Sequence, residues 1–266
     1  DIQTIMTGKN VRVTGEIAKD SISIVVSGSR KDLEEGLRLA YLLITDAKIE
    51  DSVFNIMKQQ TLQQLEQFDS SVDMQLMDAL GRTVSDNDTR FGVVTKEQLS
   101  KLDVPMAQEW LQRILKNAPI EASIVGDISK DDSLKLLVKY LGSLNRRDNE
   151  KELARLDKLR QLDVKKERHE VNIKVETKTP KSLVLVAWRG PEYRELKDSR
   201  CMKLAAKVLS TRLHEEIREK KQLTYSTFSQ SRTDPAFDNR GLILAYFTAA
   251  KTKAAKAARL CRALML

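Results

Sequence analysis

Two short stretches near the start of the chain alternate apolar and polar side chains. These are VRVTGEI at residues 11–17 and SISIVVS at residues 21–27. With β-branched residues at every second position, they predict two strands around the polar turn Ala18-Lys19-Asp20. The period then lengthens. Leu33, Leu37, Ala40 and Tyr41 share one helical face, so a helix is expected from Lys31 to about Thr45, with Ser29 as its N-cap. Helical spacing continues through Asp51–Phe68, Ser71–Val84, Lys96–Leu102 and Pro105–Lys116. The compact apolar run PIEASIVG at residues 119–126 reads as a buried strand, and Asp127 to Ser129 caps a helix running through Tyr140.

The pattern breaks at residues 146–168, where charge is dense and large apolar residues are few, which marks a linker with a short helix at 150–162. Strands are expected beyond it at 169–178 and 181–188, then the turn Arg189-Gly190-Pro191 and a long amphipathic helical region over 194–220. Strands at 223–231 and 240–248 and a final helix from about Ala249 complete the reading. The order strand, polar turn, strand, helix occurs at 11–45 and again at 223–264. That recurrence predicts an internal repeat of an α+β unit. The expected organisation is residues 1–145 as the latter part of one α+β domain, 146–168 as linker, and 169–266 as the first part of a second. Both copies are expected to be incomplete, which would leave sheet edges and helix faces uncovered.

Composition narrows the function classes. The 266 residues are 41% hydrophobic and 32% charged, as expected of a globular chain rather than a disordered one. No apolar run approaches the roughly 18 residues that a membrane span needs. The net charge of +8 raises the possibility of nucleic acid, but lysines are interspersed with acids. No strand interleaves aromatic and basic residues as a base-stacking surface does, so no nucleic-acid partner is expected. The basic run on the last helix, Lys251, Lys253, Lys256, Arg259 and Arg262, alternates with alanines and Leu260 as a solvated face does. Cys201 and Cys261 have no metal-like spacing, and the histidines are His169 and His214 alone.

The stretch RLHEEIREKKQLTYSTFSQSR at residues 212–232 tests for a metal site. A zinc helix of the His-Glu-x-x-His type needs two imidazoles four residues apart, converging from one face. Here His214-Glu215 leads to Arg218, and His169-Glu170 leads to Ile173. An arginine repels a cation, so no metal ligand is assigned, and His214 reads as a helix-surface histidine. Taken by themselves, Arg218 reads as a surface arginine paired with Glu215 or Glu216, and Tyr225 as an edge-strand tyrosine packed on Leu213.

The run IREKKQLTYS at residues 217–226 resembles the signature of the carboxy-terminal half of pitrilysin/insulinase-type zinc metallopeptidases, the inverted zincins. ASIVGDISKDDSLKLLVKYLGSL at 122–144 is similar to that family's strand-Gly-Asp-helix. IMTGKNVRV at 5–13, SGSRKDLEEGLRLAYLLIT at 27–45 and FNIMKQQTLQQLEQ at 54–67 are similar to its third homologous domain. The resemblance implies an α+β fold of two homologous repeats of the pitrilysin/mitochondrial processing peptidase type, each an antiparallel-rich sheet packed with helices.

It also implies a division of labour. The family's amino-terminal half carries the zinc ligands and the general base, while its carboxy-terminal half encloses the substrate and contributes an arginine and a tyrosine seven positions apart. Those positions match Arg218 and Tyr225 as substrate-binding residues. No catalytic residue, metal ligand or cofactor is then expected in this chain, which would be inactive alone. Its implied partners are peptide substrates and a zinc-bearing amino-terminal half, in a periplasmic or organellar parent. The competing expectation is an inactive relative that serves as a structural or partner subunit, with no peptide-binding role for Arg218 or Tyr225.

Overall fold

The computed structural model describes residues 7–147, 150–162, 164, 167–176 and 182–265. The described residues form an α+β fold with two small antiparallel sheets. They divide into two compact units, one drawn from Asp1–Met57 and Lys101–Arg155, the other from Lys58–Ser100 and Leu156–Leu266.

In the first unit, β1 (Val11–Ile17) and β2 (Ile22–Gly28) pair antiparallel from Val11↔Gly28 to Ile17↔Ile22, and the Ala18 amide closes the turn on the Ser21 carbonyl at 2.8 Å. Helix α1 (Leu33–Thr45) packs on this hairpin at Gly36, where an added Cβ would meet Val26 and Val11. Ser29 does not cap the helix; its hydroxyl donates to Asp32 Oδ2 at 2.7 Å, and Asp32 also accepts the Asn10 amide at 3.0 Å. These contacts hold the Asp32 carboxyl below the usual carboxylate range, the Ser29 hydrogen bond being the largest cause. Helix α2 (Asp51–Glu66) spans the boundary between the units.

In the second unit, α3 (Val72–Val84) starts on a Ser71 side-chain cap, and the short α4 is Lys96–Ser100. Back in the first unit, α5 (Val104–Asn117) is capped by Asp103, with Pro105 in its first turn, where a missing amide costs nothing. Ser129 caps α6 (Lys130–Leu141) by accepting the Asp132 amide. Residues 119–126 are not a strand, and Val125 is 95% exposed. An apolar run becomes a strand only where a neighbour completes its ladder, and among the described residues none pairs with it.

Helix α7 (Glu150–Arg160) occupies the charged stretch, as its spacing predicts. Residues 169–176 also lack a ladder partner, against the expected strand, and 177–178 lie outside the described residues. The second sheet has the order β3-β5-β4, with β3 (Ser182–Arg189), β4 (Thr224–Arg232) and the central β5 (Leu242–Ala249). Helix α8 (Leu196–Leu213) precedes β4, and α9 (Ala254–Met265) follows β5.

Alternation along these strands divides the core between two faces. On one, Val184, Val186, Ile243, Ala245 and Phe247 meet Leu209 and Leu213 of α8 with Ala257 and Cys261 of α9. On the other, Leu185, Ala187, Leu242 and Leu244 meet Leu80 and Val84 of α3. The result is a helix-sheet-helix sandwich with β4 at one edge. Among the described residues, no helix is long and apolar enough to cross a membrane.

Candidate functional site

The site is built where α8 runs out. The helix does not stop at Leu213 but widens into a π-helix over His214–Lys220. Widening to i→i+5 bonding brings residues five apart together, and His214 Nε2 lies 3.3 Å from Glu219 Oε1. Three buried residues hold this turn against the sheet: Leu213, Ile217 and Leu223. The Leu223 amide donates to the Ile217 carbonyl at 2.9 Å and the Gln222 amide to the Arg218 carbonyl at 3.1 Å. The chain reverses through Gln222 at φ 48°, a left-handed position that a non-glycine residue adopts at some cost. Lys253 Nζ braces the corner by donating to the Gln222 carbonyl at 3.1 Å.

Arg218 follows buried Ile217, so its side chain leaves the core. Its Nη1 lies 3.4 Å from both ring nitrogens of His214, and its Nε lies 3.8 Å from Glu219 Oε1. The pairing with Glu215 or Glu216 read from spacing is not formed; Glu216 instead accepts from Lys220 Nζ at 2.6 Å. The π-turn explains the exchange, because it rotates residue 218 away from the i−3 partner that an α-helix would offer. Contacts to Nη1 and Nε leave Nη2 without a partner among the described residues.

Tyr225 sits on a β-bulge. Thr224 pairs with Ala249 and Thr227 with Phe247, so Tyr225 and Ser226 together oppose Thr248. The Thr224 hydroxyl reaches the Thr248 carbonyl, and its other contact is the Ser226 carbonyl at 2.9 Å. The bulge frees Tyr225 from the sheet, and it is 86% exposed rather than packed on Leu213. Arg218 and Tyr225 thus lie on consecutive elements that meet at the Gln222 corner, each aimed by a buried neighbour.

Among the described residues, no group of three His, Cys, Asp or Glu side chains is arranged to hold an ion. The residue types at this corner do not fit zinc either, since a cationic guanidinium stands where the second imidazole would be.

A cleft of about 410 Å³ in the second unit has no counterpart in the sequence reading. It runs along α3 and is lined by Gln75, Asp78, Arg82, Asp86, His169 and Glu170 among others. Asp78 there accepts from Arg82 Nε at 2.8 Å and from the Val93 amide at 2.7 Å. His169, weighed in the sequence only as a metal ligand, is instead part of this wall.

A family model described as Peptidase M16 inactive domain matches residues 101–265. Among solved structures, the chain is similar to the periplasmic protease PqqL from Escherichia coli, with 20% identity and a TM-score of 0.78 over 99% of this chain and 29% of that one. It is also similar to the ferredoxin protease FusC, solved with Arabidopsis ferredoxin, with 14% identity and a TM-score of 0.74 over 99% of this chain and 28% of that one. A peptidase M16 inactive domain from Pseudomonas fluorescens matches with 15% identity and a TM-score of 0.65, over 96% of this chain and 61% of that one. The chain therefore spans less than a third of the two proteases and less than two thirds of the third structure. At such identities the likeness shows the fold alone. No curated protein sequence matches it.

Proposed function

Because the chain belongs to the peptidase M16 inactive-domain family, we propose that it is the non-catalytic, substrate-enclosing carboxy-terminal portion of a zinc metalloendopeptidase. In this reading, residues 1–145 and 169–266 are portions of two homologous domains, and 146–168 joins them. A strand hairpin followed by a helix in both, β1-β2-α1 and β4-β5-α9, supports it. The zinc and its ligands belong to a separate amino-terminal portion, and this chain supplies Arg218 and Tyr225 to peptides held there. A periplasmic parent is in keeping with the compartment named for PqqL.

The observation that carries the reading is the pairing of a family match across the motif with the exposure of both side chains at one corner. Each has a suitable chemistry. A guanidinium with a free Nη2 can donate to a peptide carbonyl or carboxylate. A phenol free of the sheet can donate to the oxyanion that develops at a scissile carbonyl, a contact worth about 10²–10³ in rate where it is made.

The test is turnover of a fluorogenic peptide by the full-length parent. Tyr225→Phe is expected to lower kcat by about two to three orders of magnitude with the fold intact, and Arg218→Ala to raise KM. Unchanged kinetics in both variants would remove these residues from the site.

A further inference from the structure

The outer edge of β4 departs from the way exposed sheet edges are ordinarily protected. Among the described residues β4 pairs with β5 alone, so one side of a nine-residue strand keeps its amides and carbonyls unpaired. Soluble proteins blunt such edges with lysine, proline, inward-pointing charge or brevity. The sequence TYSTFSQSR has no lysine, proline or acid, and its bulge lies at one end only. It also carries Phe228, which is 53% exposed although it stands opposite Tyr246. Helix α3 covers β3 and β5 on that face. Phe228 and the two bulge residues stand beyond it on β4.

Two further observations bear on what the edge takes. Cations stand at both ends: Arg232 ends the strand, and Lys221 and Lys253 flank its entry corner, with no acidic residue between Lys220 and Arg232 in the sequence. The nearby carboxylates are engaged, Asp73 by Tyr246 and Glu219 by His214 and Arg218. On the α8 side, the Thr227, Ser229 and Ser231 hydroxyls are buried with no partner. Each such group carries a desolvation cost of about 1–3 kcal/mol. A strand laid along the edge sets its own side chains beside them, at the roughly 5 Å Cβ spacing of paired residues.

We propose that the free edge of β4 receives an extended acidic peptide as an added strand, with an apolar side chain against Phe228 and carboxylates toward Lys221 and Arg232. Main-chain pairing supplies affinity and alternate side chains supply selectivity. The proposal rests on the substrate-enclosing reading and extends it, since Tyr225 is the second residue of β4.

The experiment uses the whole chain and a fluorescein-labelled nine-residue peptide with a central phenylalanine flanked by glutamates. Three comparison peptides are needed: one replaces the glutamates with lysines, and two N-methylate alternate amides, one in each register. The expected result is saturable binding, weakened tenfold or more by N-methylation, by lysine substitution and by Phe228→Ala. Salt should also weaken it, because exposed charges are screened over about 10 Å at 0.1 M. Phe228 is exposed, so its variant is expected to fold, and the N-methylated peptides test the edge on the unaltered protein in any case. Equal binding of the N-methylated peptides, or of the lysine peptide, overturns the proposal, as does no binding at all. Binding that falls with Arg218→Ala or Tyr225→Phe, yet ignores N-methylation and Phe228→Ala, overturns the edge and leaves the enclosing role standing.

Discussion

The guanidinium of Arg240 lies 3.8 Å from the ring centroid of Phe91. Its Nε pairs with Asp234 at 3.3 Å, and its Nη1 donates to the Ser85 hydroxyl at 2.7 Å. Phe91 in turn packs edge-on to Phe237 at 4.8 Å. One arginine thus ties the loop after α3 to the loop before β5, and burial lowers its own pKa while Asp234 opposes that shift.

The ion pair is closed to solvent, with side chains 13% and 7% exposed, so removing one partner strands the other. Asp234→Ala is expected to cost about 3–5 kcal/mol, the usual penalty for an unpaired buried charge. Phe91→Leu keeps an apolar side chain but loses the cation–π contact, a loss of about 1–2 kcal/mol. Urea unfolding of both variants reads the difference directly. Equal midpoints for Asp234→Ala and the unaltered chain would show that the pair contributes nothing net.

Tyr246 links the central strand to α3 by donating to Asp73 Oδ1 at 2.8 Å. Burial first, and then this hydrogen bond, push its phenol up to about 12. An unfolded tyrosine ionises near pH 10. The stabilisation is therefore complete below about pH 10 and is lost as the pH rises toward 12, because the unfolded chain releases its proton first. Tyr246→Phe should flatten the alkaline fall in stability and cost about 1 kcal/mol at neutral pH. Denaturation midpoints between pH 8 and 12 check both parts.

Gly36 fixes how closely α1 approaches its hairpin. A Cβ there would run into Val26 Cγ1 and would stand 2.6 Å from Val11 Cγ2. Both valines belong to paired strands and have little room to yield. Gly36→Ala is expected to destabilise by about 1–3 kcal/mol through overpacking, although alanine is the better helix former. Gly15, whose Cβ would meet nothing within 4 Å, serves as the control: Gly15→Ala should be near neutral by thermal melting.

Elements that depend on local pattern were legible in the sequence, and those that depend on a distant partner were not. Alternation at Val11–Ile17 and the helical spacing of Leu33, Leu37 and Ala40 locate β1 and α1 to within two residues. Residues 119–126 form a compact apolar run, but a ladder needs a neighbour that composition does not reveal. At the candidate corner the motif suggested residue names but no geometry. Arg218 and Tyr225 could be named from IREKKQLTYS, whereas the π-turn follows from Leu213, Ile217 and Leu223 all reaching one core. The bulge follows from the register that Thr224 and Thr227 take on β5. Arg240 gave no signal at all, since its partners Phe91 and Ser85 lie far away along the chain.

The two cysteines offer a reading of this second core in solution. Cys261 is buried among Leu213, Ile217, Phe247 and Ala257, and that burial pushes its thiol up to about 12. Cys201, on the outer side of α8, is exposed. Only a thiolate attacks a disulfide reagent at an appreciable rate, and it must also be reached. One thiol is therefore expected to react promptly at pH 8, and the second only as the β3-β5-β4 core opens. Labelling with a chromogenic disulfide across a urea series should show the second thiol appearing together with the loss of helical circular dichroism. Cys201→Ser should abolish the fast phase alone. Prompt reaction of both thiols in the folded chain would mean that α8 and α9 separate far below the global unfolding transition, and that the platform carrying Arg218 and Tyr225 is mobile.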